Sequence, residues 1–445
     1  MLQQLLKNKL ARNTMWMTAG QGLRLVIQAL YFIEIARSLG TRNYGAFISV
    51  VALVGIVFPF ASLGGGNLLV KNVARDKSQF PCYWGRALAF TLCVGLLFDV
   101  GICIVGHFVL PPAIPLLLIA LVASADIFGL NIITISSQAF QAFEQLSWTA
   151  AITVMMSGGR LIGALILIAI HPHPTALQWG FLYLGATVAV ALTAFFLACA
   201  KFGLPQMSLP RSLSEIREGF YFSAGQAAQT VYNDIDKTML ARLSTLEATG
   251  IYGAAYRIID VSFVPVSALL WSSYPSFFRA GVDGVAAAWK YAIPLLQRAL
   301  LYAAAVCAAL LASANLLPYL LGSEYSAAAE ALRWLAVLPV LKAIHYFFSD
   351  TLTGSGHQGV RTSIQLCVAL ANVVANFWLI PAHSWRGAAW SSIASDSALV
   401  IAAGTAVFIM SRKSTVAIDD TISDPQLNQW NQETLTQIPQ ARQSQ

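Results

Sequence analysis

Long apolar stretches recur along most of this 445-residue chain, and short polar connections separate them. A helix that crosses a bilayer needs roughly 20 mostly apolar residues. This pattern predicts an all-α integral membrane protein with about twelve spanning helices. The predicted spans are residues 13–35, 44–64, 86–109, 113–137, 147–170, 176–199, 219–241, 249–274, 293–320, 327–350, 360–381 and 388–411.

Composition and charge agree with a membrane location. The chain is 57% hydrophobic and only 11% charged, whereas soluble proteins are about 25% charged. With the N-terminus inside, sixteen Lys and Arg residues flank the inner helix ends. The outer ends have only four, which are Arg37, Arg42, Arg242 and Arg386. Basic residues favour the cytoplasmic side, so both termini are predicted to be cytoplasmic, and the net charge of +7 needs no nucleic-acid partner.

An internal repeat relates the two halves of the chain. Residues 19–37 (AGQGLRLVIQALYFIEIAR) align without gaps with residues 224–242 (AGQAAQTVYNDIDKTMLAR), and YGAF at 44–47 matches YGAA at 252–255. Six predicted helices separate the copies, so the repeat is parallel, as in many transporters. The predicted domains are an N-terminal six-helix bundle (1–200), a cytoplasmic linker (201–218), a C-terminal six-helix bundle (219–411) and a disordered cytoplasmic tail (412–445).

Both copies of the repeat carry polar residues at helical spacing. Such a face avoids lipid and looks at protein or water. We call each of these two polar faces a seam. The two seams predict the walls of a central, water-filled cavity that binds substrate. The seams consist of Gln21, Arg24 and Gln28 in the first copy, and of Gln226, Gln229, Asn233 and Lys237 in the second.

Ionisable residues inside the predicted helices are candidates for function, since a charge in the bilayer is costly unless it is paired or wetted. Arg24 has no acidic partner one turn away and is the best anion-binding candidate, because Arg matches phosphate oxygens in a forked geometry. Lys237 and Arg257 are further candidates. The basic residues at membrane depth are Arg24, Arg160, Lys237, Arg257, Arg298, Arg333 and Lys342.

The acidic residues allow two interpretations. Asp234 with Lys237, and Arg257 with Asp260, have the i, i+3 spacing of helical ion pairs, and the four charges either fix the helix pair or also contact an anionic substrate. Lone carboxyls are either coupling sites for H+ or Na+ or buried structural groups. The ion-pair or ion-coupling candidates are Asp234, Asp236, Asp260, Asp126 and Asp99.

The sequence contains no motif for soluble-enzyme chemistry. The six cysteines form no C-x-x-C pair, and there is no H-E-x-x-H or G-x-S-x-G. The glycine-rich GGGNLLVK at 64–71 lacks the spacing of a phosphate-binding loop. We therefore expect no enzyme activity, no metal site and no cofactor beyond a coupling ion.

Four segments carry a family resemblance. They are NTMWMTAGQGLRLVIQALYFIEIARSLGTRNYGAF, FPFASLGGGNLLVKNVAR, NDIDKTMLARLSTLEATGIYGAAYRI and LANVVANFWLIPAHSWRGAAWSSIAS. Over about residues 10–412 the chain resembles the oligosaccharide flippase family of the multidrug/oligosaccharidyl-lipid/polysaccharide exporter superfamily. The resemblance implies two six-helix bundles around a cavity and alternating access. It also implies export of undecaprenyl-pyrophosphate-linked oligosaccharide across the bacterial inner membrane.

The expected partners are the lipid-linked oligosaccharide, membrane lipids and a glycan polymerase or other export machinery. Two alternatives stay open. A drug/cation antiporter of the same superfamily would need carboxylates to dominate the cavity. A membrane glycan polymerase or ligase would need a large external loop, and the predicted outer loops of about 4–12 residues argue against it.

Overall fold

The computed structural model describes residues 9–206 and 213–422, and within these ranges it is almost entirely helical and without strands. This confirms the predicted fold class. Nine segments of the described chain are long and apolar enough to cross a membrane. They are Gly20–Ala61, Lys77–Val109, Leu116–Ala142, Leu146–Ile170, Ala176–Phe202, Leu246–Tyr274, Val285–Leu321, Gln358–His383 and Trp385–Arg412.

Fifteen α-helices are numbered here in chain order. They are α1 Lys9–Ala61, α2 Gly65–Val73, α3 Phe80–Val109, α4 Leu116–Ser124, α5 Asn131–Ala142, α6 Leu146–Ile170, α7 Ala176–Phe202, α8 Leu213–Leu243, α9 Leu246–Gly281, α10 Val285–Ser313, α11 Leu317–Leu321, α12 Ser326–Leu335, α13 Leu338–Gly354, α14 Gln358–His383 and α15 Trp385–Ile422. A π-helix, Ala125–Leu130, joins α4 to α5, and short 3₁₀ turns occur at Lys77–Gln79, Ala314–Leu316 and Ser323–Tyr325.

The helices differ from the twelve predicted spans in several places. Helix α1 contains the first two spans, joined at Gly40, whose backbone is not helical. The span at 219–241 lies in α8, which is not among the nine segments that are long and apolar enough to cross a membrane. The span at 327–350 is divided between α12 and α13. Pro339 lies in the first turn of α13, where a missing N–H is tolerated, whereas inside a continuous helix it would remove a backbone hydrogen bond.

The chain forms two compact units. The first consists of Met1–Ser262, Cys307–Val337 and Gln365–Ser395, and the second of Phe263–Val306, Leu338–Ile364 and Asp396–Gln445. The first unit includes helices from both predicted bundles, and the predicted boundary at 201–218 stays a prediction.

Several sequence predictions fall partly outside the described residues. Residues 207–212 of the predicted linker and 423–445 of the predicted tail lie there, as do Lys7, Arg211 and Arg442 of the inner-flank count. The described part of α15 continues to Ile422, past the predicted end of the last span.

Each unit has its own apolar core. In the first unit, Trp84 stacks on Phe80 and Phe195 with ring centroids 5.6 and 6.0 Å apart, and this cluster joins α3, α5 and α7. In the second, Phe277 and Phe347 are fully buried among α9, α10 and α13. Because lipid is as apolar as these side chains, close packing rather than exclusion of water holds such helices together.

Glycines bring the two repeat copies into backbone contact within the first unit. A Cβ atom at Gly45 would lie 1.8 Å from the carbonyl oxygen of Leu246, and one at Gly250 would lie 2.0 Å from that of Thr41. The glycine contacts of α1 with α9 occur at separations of 201 to 209 residues, close to the repeat offsets of 205 and 208 residues. The second repeated segment, at Gly45 in α1 and Gly253 in α9, therefore packs on its own counterpart, as expected at a twofold-like axis.

Candidate functional site

A cavity of about 330 Å³ lies in the first unit, among α1, α5, α6 and α9. Three arginines line it: Arg24 from α1, Arg160 from α6 and Arg257 from α9. No carboxylate of the described residues forms part of its wall. The rest of the wall consists of Gln28, Tyr31, Leu130, Ile133, Thr134, Ser137, Gln138, Thr153, Met156 and Ser157.

Two of the three arginines have no counterion in the described part of the chain. The Arg24 Nη1 atom donates a long hydrogen bond of 3.4 Å to Gln21 Oε1, one turn away. Neither Arg24 nor Arg257 forms an ion pair with another described residue. Their positive charges are therefore available to an anion in the cavity.

The third arginine is paired behind the cavity wall. Arg160 Nη2 lies 3.1 Å from Asp126 Oδ1 and 2.5 Å from the Tyr183 hydroxyl oxygen. The Tyr183 hydroxyl donates to the same Asp126 oxygen at 2.7 Å. Asp126 belongs to the π-helix that joins α4 to α5, a feature often found at functional sites. The excess positive charge of the cavity therefore comes from Arg24 and Arg257.

Helical periodicity explains how α5 and α6 contribute to the wall. Thr134, Ser137 and Gln138 follow i, i+3, i+4 spacing on α5, while Thr153, Ser157 and Arg160 follow i, i+4, i+7 spacing on α6. Each set forms one polar stripe. Neither stripe was predicted from the sequence. The internal repeat singled out only the first and seventh predicted spans. The polar residues of α5 and α6 can nevertheless be recognised in the sequence by the same helical spacing.

The two predicted polar seams have different surroundings. Arg24 and Gln28 of the first seam line the cavity together with Arg257. The members of the second seam lie outside the cavity wall, with Gln226 and Gln229 exposed and Asn233 half-buried. The substrate-binding roles of all these residues stay predictions.

Lys237 belongs to a separate buried cluster. Its ammonium group forms an ion pair with Asp234, lies 3.2 Å from the Asn233 carbonyl oxygen and sits 4.1 Å from the centre of the Tyr256 ring. The other i, i+3 pair does not form, since no ion pair joins Arg257 to Asp260 within the described residues. Arg257 instead lines the cavity.

The remaining acidic candidates are hydrogen-bonded. Asp236 accepts hydrogen bonds from the Tyr252 hydroxyl and, at 3.1 Å, from Ser392 Oγ. Asp99 accepts one from Ser124 Oγ at 3.3 Å. Their roles in ion coupling stay predictions. No group of three or more histidine, cysteine or acidic side chains suited to a metal ion occurs within 9–206 and 213–422.

Solved transporters share this fold. A multidrug resistance MATE family transporter of the MOP superfamily, in its inward-facing conformation, aligns with a TM-score of 0.71 and 17% identity, covering 90% of this chain and 99% of that chain. An outward-facing MATE family transporter gives a TM-score of 0.64 and 15% identity, over 92% and 98% of the two chains.

A third neighbour is a MOP superfamily transporter from Pyrococcus furiosus, for which reverse polarity of the binding pocket suggests a different function. It aligns with a TM-score of 0.65 and 17% identity, covering 94% of this chain and 98% of that chain. At such identities the likeness concerns the fold alone.

Sequence comparison adds the family. No curated protein matches the sequence significantly. The family model described as "Polysaccharide biosynthesis protein" matches residues 10–280, which is more than half of the chain. The chain therefore belongs to the polysaccharide biosynthesis protein family, and it is a multi-pass membrane protein with the fold of MOP superfamily transporters.

Proposed function

We propose that this chain is a flippase that moves undecaprenyl-pyrophosphate-linked oligosaccharide units across the bacterial cytoplasmic membrane for export of a surface polysaccharide. Membership of the family supports a role in polysaccharide biosynthesis. The arginine-lined cavity supports a substrate with an anionic headgroup. In this proposal the diphosphate and its sugars enter the cavity, the polyprenyl tail stays in lipid, and the protein works by alternating access.

The charge balance of the cavity wall carries the proposal. Arg160 has Asp126 as its counterion, whereas Arg24 and Arg257 have none among the described residues. The wall therefore has an excess of two positive charges. A sugar-linked prenyl diphosphate carries about two negative charges near neutral pH, and Arg binds phosphate oxygens in a forked geometry. Binding would offset charges that are otherwise costly within a membrane.

The uncharged part of the wall is suited to a glycan. Thr134, Ser137 and Gln138 on α5, with Thr153 and Ser157 on α6, present hydroxyl and amide groups beside the arginines. A few well-placed polar groups of this kind fix the orientation of a bound ligand. We expect them to contact the sugars that follow the diphosphate.

We also propose an orientation in the membrane and an energy source for transport. It places both termini in the cytoplasm, in keeping with the distribution of Lys and Arg. It requires no organic cofactor, and an H+ or Na+ gradient is the energy source to be tested. Membrane lipids and a glycan polymerase that receives the exported unit are its partners.

A drug/cation antiporter is the second candidate, because the MATE neighbours share the fold. Such a transporter must attract cations. The wall of the described cavity has three arginines and no carboxylate from the described residues, so it would repel a cationic drug. The cavity therefore favours the flippase.

Two arginine substitutions test the proposal in cells that lack the native copy. Arg24→Ala and Arg257→Ala are each expected to abolish surface glycan and to accumulate lipid-linked oligosaccharide on the inner leaflet. Arg37→Ala is the matched control, since Arg37 is an exposed arginine of α1 outside the cavity wall. Membrane insertion is checked by immunoblot of each variant.

The outcomes separate the two candidates. Normal surface glycan in both cavity variants would contradict the flippase. Altered drug tolerance with unchanged glycan export would favour the antiporter.

A further inference from the structure

Arg160 differs from the other cavity arginines because a carboxylate holds it from behind. We propose that Asp126, anchored by Tyr183, is an internal counterion that competes with the substrate phosphate for Arg160 and so limits how tightly the headgroup binds. This inference rests on the proposed function and concerns the same cavity. Asp126 would be a positioning residue that never contacts the substrate.

The geometry divides the Arg160 guanidinium into an engaged and an available part. Nη2 contacts both Asp126 and Tyr183, and the guanidinium carbon lies 4.2 Å from the centre of the Tyr183 ring. An arginine has five N–H donors, and Nε is buried without a hydrogen-bond partner in the described structure. Because Nε is buried, the donors that remain for a phosphate at the cavity are those of Nη1, which donates no hydrogen bond within the described residues.

The two members of the ion pair differ in their access to the cavity. The Arg160 side chain is 19% exposed and lines the wall. Asp126 is 8% exposed and does not form part of the wall. A phosphate can therefore approach Arg160 but not replace the buried carboxylate, and it must share the arginine with Asp126.

Tyr183 gives the carboxylate a second partner. A buried carboxylate that loses its only cation is strongly destabilised, whereas one that keeps a hydrogen bond loses less. The Tyr183 hydroxyl donates to Asp126 at 2.7 Å. A phosphate can therefore weaken the Arg160–Asp126 interaction while Asp126 stays hydrogen-bonded to Tyr183, and the full interaction returns when the substrate leaves.

Competition between Asp126 and the substrate phosphate for Arg160 would help the transporter to release its substrate. A carrier must bind its cargo well enough to take it up and weakly enough to release it. Three uncompensated arginines around one diphosphate would favour retention. One internal carboxylate reduces the positive charge from three to two and speeds release.

Binding and turnover together test the role of Asp126. The probe is geranylgeranyl diphosphate, titrated calorimetrically into the purified full-length protein. Asp126→Asn is expected to bind it about tenfold more tightly, because the counter-charge is lost, while glycan export in cells slows. A residue with only a structural role would not combine tighter binding with slower export.

A matched control exists in the second unit. Asp350 and Arg361 form another buried ion pair at 3.2 Å, and neither lines the cavity. Asp350→Asn removes the same charge from the same kind of pair. We expect its affinity for the probe to equal that of the wild type.

Tyr183→Phe provides a second variant in case Asp126→Asn does not fold. Without the hydroxyl, Asp126 depends on Arg160 alone, so the pair is harder to divide and the probe is expected to bind more weakly. Tighter or unchanged binding by Tyr183→Phe would overturn the proposal. So would weaker or unchanged binding by a folded Asp126→Asn.

The test also separates this inference from the proposed function. If the wild type binds the probe and Arg24→Ala abolishes export, a failure of the Asp126 prediction overturns the counterion alone. If the wild type does not bind the probe, both proposals fail.

Discussion

The carboxylate of Glu324 accepts a hydrogen bond from the backbone amide of Thr41 at 3.1 Å. Thr41 follows Gly40, where α1 breaks, so its amide starts a new helical run and would otherwise lack an intrahelical partner. The adjacent Tyr325 hydroxyl donates to the Ala36 carbonyl oxygen at 2.9 Å. One short turn, Ser323–Tyr325, therefore satisfies backbone groups on both sides of the break.

We predict that Glu324→Ala lowers the free energy of unfolding by about 1 kcal/mol, the usual cost of removing a side-chain helix cap. The measurement is equilibrium unfolding of the purified protein in mixed micelles. Arg42→Ala is the control, because among the described residues Arg42 forms only an exposed ion pair with Glu247 at 3.7 Å, and such pairs contribute about 0.5 kcal/mol or less. Equal losses in the two variants would contradict the capping role.

The break in α1 also predicts the effect of a substitution at Gly40. Its φ of 68° and ψ of 174° lie in a region that is essentially restricted to glycine and costs other residues about 1–3 kcal/mol. A Cβ atom there would also lie 2.7 Å from the Glu324 carboxylate. Gly40→Ala should therefore lower the free energy of unfolding by about 2 kcal/mol.

Gly22 is the matched control for Gly40. It lies in the same helix, it is exposed, and a Cβ atom there would meet nothing within 4 Å. Gly22→Ala should be neutral or slightly stabilising, because Ala favours helix. Part of the destabilisation by Gly40→Ala comes from the close contact of the new methyl group with Glu324. The double variant Gly40→Ala/Glu324→Ala should therefore lower the free energy of unfolding by less than the sum of the two single effects. Full additivity would disprove the contact.

The packing of the repeat copies on each other predicts that Gly45→Ala is more damaging. The new methyl group would overlap the Leu246 backbone oxygen, which cannot rotate away, so α1 and α9 would have to separate. We expect a loss of about 3 kcal/mol in the free energy of unfolding, at the upper end of overpacking costs. Gly185→Ala, at an exposed site with no neighbour within 4 Å, should change it little. Equal effects would contradict close packing of the repeats.

Periodicity and repeats allowed much of the fold and part of the site to be predicted. The spacing of Arg24 and Gln28 indicated a shared polar face, and both residues line the cavity. Spacing alone does not tell which neighbouring helix a face meets. Arg160 was recognised only as a basic residue at membrane depth, because its partner Asp126 is 34 residues away in sequence.

Helices α8 and α9 also show that sequence spacing alone does not decide which contacts form. Asp234 and Lys237 are one turn apart, so their ion pair was predictable from sequence. Arg257 and Asp260 have the same spacing, yet they form no ion pair within the described ranges, since Arg257 lines the cavity. Local spacing makes a pair available, and the tertiary surroundings decide whether it forms.

The Lys237 cluster supports a last prediction, which addresses whether it is structural or binds substrate. The Lys237 side chain is 5% exposed, whereas that of Asp234 is 36% exposed. Asp234→Asn removes the ion-pair partner of a buried ammonium group, which keeps only the charges of Asp236 and Asp260 nearby, and should cost up to about 3 kcal/mol in the free energy of unfolding. Lys237→Met leaves Asp234 open to water but takes the neighbouring positive charge away from the buried Asp236, so it should cost about as much. The double variant removes the Asp234–Lys237 pair as a unit, so its loss of stability should be smaller than the sum of the two single losses, and it should export glycan normally if the cluster is only structural. A double variant that folds and inserts but exports no glycan would instead show that Lys237 acts on the substrate.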